Sequence, residues 1–471
     1  MYTVNRNASA DATTFTISDQ RGRHVPHNKT TEELHDGVRT HINQFPVMEP
    51  HYTRAGTQRR FLGAELNINR VCALYKEECK QKCVDFVKPG VYRNIFCIEF
   101  NLSFHQPKKD VCVKCEQYNN ATDIEKQQLE QEYRLHIERK EKARLEKASD
   151  KVKASKSGSD WHAVAADLQN VLSTPFGNVS SLYYARKLYV YNFTVYDQVS
   201  HNGYCMVWDE TKAQRQRGAN EVGSALYAYL KKYVASPVKQ VITASDITVS
   251  QNRNQYVTCL LLLAAQTLQF DTIEQKFLET EHTHMEVDSM HSTIDMYRKR
   301  LKISCPFEWP VVLQVARRSN PYTVHVMEQS AFFDLHELTR SMNATNLKSV
   351  HWFRVKCIRV SENVVVAVEV KYDYTEEYKK VFIRSVGRST RKRSLQLTLD
   401  ASMLQPAYTT PLPVYASKKA DLIRLCDTGA AKTQFHELYR NLATAATVKD
   451  CLPEPDCSEN AEADDSATED T

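Results

Sequence analysis

The chain has 471 residues, room for about three domains at roughly 150 residues each. Hydrophobic residues make up 42% and charged residues 25%, with only 12 Gly and 15 Pro. This is globular usage, and it excludes a wholly disordered chain or a Gly/Pro repeat. The net charge is +5, yet Cys451–Thr471 holds eight acids and no Lys or Arg, so the body is more basic than the total. A basic body with an acidic tail fits a polyanionic partner; an ordinary solvated surface fits equally well.

Met1 to Ala10 is polar, with no basic-then-apolar leader. The densest apolar run, Tyr256 to Leu268, is too short to cross about 30 Å of hydrocarbon. These features predict a nuclear or cytoplasmic protein, not secreted and without a membrane partner. Thirteen cysteines, an odd count, predict reduced thiols with some on a metal.

In chain order, residues 1–66 read as a polar, basic N-terminal region, with a helix start at Thr30-Thr31-Glu32-Glu33. Residues 67–120 are rich in Cys and His. Residues 121–158 form a run of Glu, Lys, Arg and Gln with a thin apolar stripe (Leu129, Tyr133, Ile137, Leu145). That stripe predicts an exposed helical linker, with a coiled-coil arm joining two copies of the chain as an alternative.

From Trp161 the pattern changes. His162–Leu168 reads as a buried strand ending at an acid. Leu188–Tyr196 is β-branched and aromatic, Asn202-Gly203 is a turn, and Tyr204–Trp208 is the return strand. Glu221–Val234 has helical spacing, Gln240–Ala244 is a strand, Tyr256–Leu268 a buried helix, Gln275–Leu278 a strand and Met285–Leu301 a helix. Past Cys305, the stretches Pro310–Val315, Val350–Val360 and Val364–Val370 read as strands. The predicted domains are therefore 159–305, a β-rich region over 306–445 and an acidic tail over 446–471.

Three antiparallel strands, a helix, then parallel strands alternating with helices is the order of an RNase H-like domain. The expected class is α/β: an RNase H-like mixed sheet (β-β-β-α-β-α-β-α) with a small Cys-rich helical N-terminal region and a β-rich C-terminal region. In that architecture acids at the ends of the first and fourth strands and on a late helix converge on two divalent cations. Hard cations such as Mg²⁺ or Mn²⁺ take carboxylate oxygens, and clustered carboxylates need a cation to remain ionised together. The candidate acids are Asp167, Asp246 and Asp288, with Glu221 and Asp295 assisting and Glu286 nearby. Asp197 and Asp209 are the rival first-strand acids. At 100° per residue His284, Asp288, His291 and Asp295 fall within roughly 60° of one helical face, which suits a metal or a positioned water.

The stretches His51-Tyr52-Thr53-Arg54, Asp167-Leu168-Gln169, Tyr191-Asn192-Phe193, Trp208-Asp209-Glu210, Asp246 with Gln251-Asn252-Arg253-Asn254, and His282-to-Ser292 carry a resemblance. Together they resemble a transposon-associated, uncharacterised animal family, mostly from arthropods, known as a domain of unknown function. The resemblance covers most of residues 20–445 and implies an RNase H-like transposase- or nuclease-type core. Three positions depart from it: Ser250 and Glu281 stand where the family has Gly, and Asp295 stands where Glu is common.

Cys112-Val113-Lys114-Cys115 is a Cys-x₂-Cys knuckle of the kind that holds half of a tetrahedral Zn²⁺. Cys97 and His105 are the candidate completing ligands, with Cys79 and Cys83 as alternatives. Arg384, Arg388, Arg391, Lys392 and Arg393 form a basic cluster suited to DNA phosphates or to nuclear targeting. The expected function is a transposon-derived DNA-binding protein with two-metal phosphodiester cleavage or strand transfer, intact or decayed. The alternative is a catalytically inactive, domesticated DNA-binding or scaffold protein that retains the fold.

Overall fold

The computed structural model describes residues 30–45, 60–62, 66–104, 112–177, 182, 185–213, 218–234, 237–246, 251–279, 285–363, 366–384 and 397–445. The chain divides into two compact units, residues 1–111 and 112–471.

In the first unit, helices α1 (Glu32–Asn43), α2 (Ile68–Gln81) and α3 (Pro89–Glu99) accompany a parallel pair of short strands, β1 (Arg60–Leu62) and β2 (Leu102–Phe104). Each helix contributes an apolar stripe to a small core: Val38 and Ile42, then Val71 and Tyr75, then Tyr92 and Phe96. His41 is buried there with Nδ1 2.8 Å from the Tyr92 hydroxyl, and burial lowers its pKa. Of the cysteines in this unit, Cys72 and Cys79 belong to the core, while Cys83 and Cys97 are exposed.

The second unit is built on a ten-stranded mixed sheet. Its middle strands are β3 (Trp161–Leu168), β5 (Leu188–Asp197), β6 (Gly203–Asp209), β7 (Gln240–Ser245) and β8 (Thr272–Phe277). They lie in the order β8-β7-β3-β5-β6, with β3, β5 and β6 antiparallel and β7 and β8 parallel to β3. The short β4 (Leu172–Thr174) pairs with β5. Side chains alternate between two cores, as strand geometry requires. On β3, Val164, Ala166 and Leu168 enter one core and Ala165 the other; on β5, Tyr191, Phe193 and Val195 oppose Val190.

Helices cover both faces. The first core takes α6 (Ala219–Tyr233), α7 (Gln255–Thr267) and α10 (Leu335–Ser341), through residues such as Leu226, Leu260 and Leu338. The opposite core takes α8 (Glu286–Arg298) and α9 (Trp309–Val315), through Met290, Ile294, Trp309 and Leu313. The apolar Leu260–Ala265 run is thus a helix buried within the fold. Among the described residues no helix is long and apolar enough to cross a membrane.

The charged segment forms α5 (Asp123–Ala154), 32 residues opened by a Thr122–Glu125 capping box. Expected as an exposed linker, it instead docks on the sheet through Ala143, Asp150 and Ala154. Lys276 of β8 lies 2.7 Å from Asp150 and 2.8 Å from Glu146, which ties the helix to the strand.

Past Cys305 the same sheet continues. β9 (Thr323–Val326) pairs with β6, while β10 (Cys357–Ser361), β11 (Ala367–Lys371) and β12 (Lys379–Phe382) extend from β8. The stretch Pro310–Val315, expected as a strand, is helical in α9. Pro310 sits in the first turn, where its missing N–H costs nothing, and Trp309, Val312 and Leu313 bury one face while Val311 and Val315 stay exposed. Of Val350–Val360 only the last residues are a strand, because a 3₁₀ turn occupies Trp352–Arg354. Two C-terminal helices, α11 (Ala416–Asp427) and α12 (His436–Arg440), close the unit. Lys418 of α11 is buried 2.8 Å from Glu210, which follows β6.

Candidate functional site

Asp167 lies next to the last residue of β3 and, by the two-residue period, on the face of Ala165. That face carries α8. Asp288 and His291, one turn apart on α8, meet Asp167 there: one donor atom from each lies within 4.8 Å of the other two. The trio is partly exposed, with the Asp167 side chain at 27% and His291 at 15%. It sits at the carboxyl end of a central strand, where open α/β sheets bind ligands.

The neighbours orient each member. Thr194 of β5, paired with Asp167 across the ladder, donates its hydroxyl to the Asp167 carbonyl at 3.0 Å and lies 2.7 Å from His291 Nε2. A hydroxyl has one proton. With that proton on the carbonyl, Nε2 carries the imidazole hydrogen and Nδ1 keeps its lone pair. Nδ1 is 4.0 Å from Asp167 Oδ2. Burial pushes the His291 pKa down to about 3, so the ring is neutral at physiological pH. The Asn192 amide donates to Gln169 Oε1 at 2.9 Å, and the Gln169 amide reaches the His291 carbonyl at 3.5 Å. Asp288 Oδ2 accepts the Met285 N–H at 2.9 Å and so caps α8.

Asp246 follows the last residue of β7. The register runs Val164↔Thr243 and Ala165↔Ala244, and two further steps bring Asp167 level with Asp246. The alternation puts Asp246 on the face of Ala244, which is also the α8 face. It borders the trio without belonging to it.

The other predicted acids have different surroundings. Glu221 is buried at the start of α6, where it accepts from the Gly218 N–H at 3.1 Å and from the Tyr408 hydroxyl. Asp295 pairs with Arg298 at 2.8 Å, and Glu286 with Lys147 at 2.6 Å. Asp197 accepts from Val199 N and Ser200, and Asp209 from Thr211, so both rival first acids shape turns. Among the described residues, Asp167 alone of the three belongs to a cluster of metal donors. His284, Ser250 and Glu281 lie outside the described residues.

Arg384 is partly buried and donates to the Met342 carbonyl at 2.7 Å, a structural role. Arg388, Arg391, Lys392 and Arg393 lie outside the described residues, as does His105. Cys112 and Cys115 are buried at the start of α4 (Val113–Asn120), and His136 of α5 joins them. Cys112 Sγ is 3.2 Å from His136 Nε2. Burial lowers the His136 pKa and also that of Lys140, one turn further on. His136 is the donor that sequence reasoning missed. It stands 21 residues beyond Cys115, within a charged helix and in no motif. The orienting roles of Thr194, Gln169 and Asn192 were equally invisible, since they arise from strand pairing.

No curated protein matches this chain. Residues 203–373 match the model of a domain of unknown function, DUF7869, a span that runs from β6 to just past β11 and contains Asp246, Asp288 and His291 but not Asp167.

Proposed function

We propose that the chain is a transposon-derived, DNA-binding protein whose central domain is RNase H-like and cleaves or transfers phosphodiesters. The observation that carries this reading is the convergence of Asp167, Asp288 and His291 at the carboxyl end of a central strand. The strand order β8-β7-β3-β5-β6, with an antiparallel first trio and parallel additions, supports it as well.

The donor set fits a divalent cation. Two carboxylates suit Mg²⁺ or Mn²⁺, and a neutral imidazole with its lone pair toward a carboxylate favours Mn²⁺ of the two. A cation held there would supply Lewis-acid polarisation of a phosphoryl oxygen. This chain's own residues do the rest. Thr194 fixes the imidazole, the Asn192–Gln169 pair braces the α8 backbone, and Asp288 anchors the helix start. Asp246 is the donor placed for a second cation.

The test is purified full-length protein with labelled single- and double-stranded DNA in Mg²⁺ or Mn²⁺. Nicking that falls at least ~100-fold in Asp167→Asn and in His291→Gln is the expected result. Nicking unchanged in both variants refutes the assignment.

One set of observations favours a second reading, an inactive DNA-binding or scaffold protein. The two assisting carboxylates are engaged elsewhere, Glu221 with Tyr408 and Asp295 with Arg298. Salt-dependent duplex binding without cleavage in either metal would select this reading.

A further inference from the structure

We propose that Cys112, Cys115 and His136 bind a structural zinc ion that fastens α4 to the long helix α5. The proposal does not depend on the site at Asp167.

The argument begins with what α4 lacks. It has eight residues, Val-Lys-Cys-Glu-Gln-Tyr-Asn-Asn, and Cys115 is its only buried one. A helix this short is marginal without tertiary support. Its other ties to α5 include a stack of Tyr118 on Tyr133 with ring centroids 3.8 Å apart, a hydrogen bond from the Tyr118 hydroxyl to Glu130, and Lys114 3.1 Å from Glu132. The exposed ion pair contributes little, and the half-buried tyrosine stack is a modest anchor. The burial at this junction is concentrated in two thiols, an imidazole and the side chain of Lys140, whose charge lies near both sulfurs.

Those three groups have the right chemistry and spacing. Cys112 is the N-cap of α4 and Cys115 lies one turn on, so both sulfurs sit at the amino end of the helix. The donor atoms lie within 4.8 Å of one another, and Sγ of Cys112 is 3.2 Å from His136 Nε2. Zinc–sulfur and zinc–nitrogen bonds in a tetrahedron separate such donors by roughly 3.6–3.8 Å, so small side-chain adjustments bring all three onto one ion. Two thiolates would neutralise the ion, and the fourth position falls to a water or to a further residue. In this proposal His136 takes the third position, a residue not among those expected from sequence; His105 lies outside the described residues.

The experiment uses the full chain, purified under reducing conditions and without chelator. Elemental analysis should find about one zinc per chain. Cobalt substitution should produce a sulfur-to-cobalt charge-transfer band. His136→Gln and Cys115→Ser should lose the metal while Cys97→Ser and Cys83→Ser keep it. If the variants fail to fold, the unaltered protein still decides. Alkylation mapped by mass spectrometry should label Cys112 and Cys115 only after a chelator is added. The proposal is overturned by any of four results: no bound zinc in zinc-supplemented preparations, metal retained by folded His136→Gln, metal lost in Cys97→Ser but not in His136→Gln, or labelling that the chelator does not change.

Discussion

His162 illustrates how one half-buried side chain sets a pH limit. Its Nε2 lies 2.8 Å from the Tyr229 hydroxyl, and desolvation lowers its pKa, offset in part by Asp197. The folded state therefore holds this ring neutral, while the unfolded chain takes up a proton below about pH 6.5. Stability from this site is complete above that pH and declines as the pH falls toward the lower folded value. Buried His41 and His136 act in the same direction. Urea unfolding between pH 8 and 5 should show a midpoint that drops below about pH 6.5, and His162→Gln should flatten the curve. A midpoint that rises on acidification would contradict this account.

At the scale of the element, the β5–β6 hairpin is closely fitted. A Cβ built on Gly203 would lie 2.7 Å from Tyr322 Cδ1 and 2.8 Å from Met290 Cε. Met290 lies on α8, between Asp288 and His291 in the helical order, so overpacking here presses on the helix that carries the candidate site. Gly203→Ala should cost about 1–3 kcal/mol in thermal or denaturant unfolding. The hairpin was readable from the sequence because Asn202-Gly203 sits between two runs of β-branched and aromatic residues. The central strands and helices were readable for the same reason: Leu188–Asp197 alternates between two cores, and Leu226 and Leu230 recur at helical spacing. The failures have equally local causes. Pro310 and three valines suggested a strand, but Pro in a first turn with Trp309, Val312 and Leu313 on one side makes a helix. Asp167 could be singled out from Asp197 and Asp209 only once α8 was seen to cross its face, because each of the three ends or nearly ends a strand. His136 could be found only from the packing of α4 on α5.

For the whole molecule, the sheet passes through the boundary that the sequence suggested near residue 305. β10 is hydrogen-bonded to β8 on one side and to β11 on the other, and Ile358, Val360, Val368 and Val370 are buried in the same core as Leu260. Residues 306–382 are thus part of the fold that presents Asp167 and Asp288. A chain ending at residue 305 would expose the hydrogen-bonding edge of β8 and open that core. It should lose its near-ultraviolet circular dichroism and elute as aggregate in size-exclusion chromatography. A monomeric, cooperatively unfolding 112–305 fragment would show instead that the middle strands stand alone.

The outer strand β12 opens with Lys379 and Lys380, both solvent-facing, and no strand lies beyond it among the described residues. Two adjacent cations on an open rim repel the identical rim of a second molecule, while the backbone N–H and C=O groups there would otherwise invite strand addition. Fibril-like growth along the sheet is disfavoured on that side, and any self-association has to use another surface.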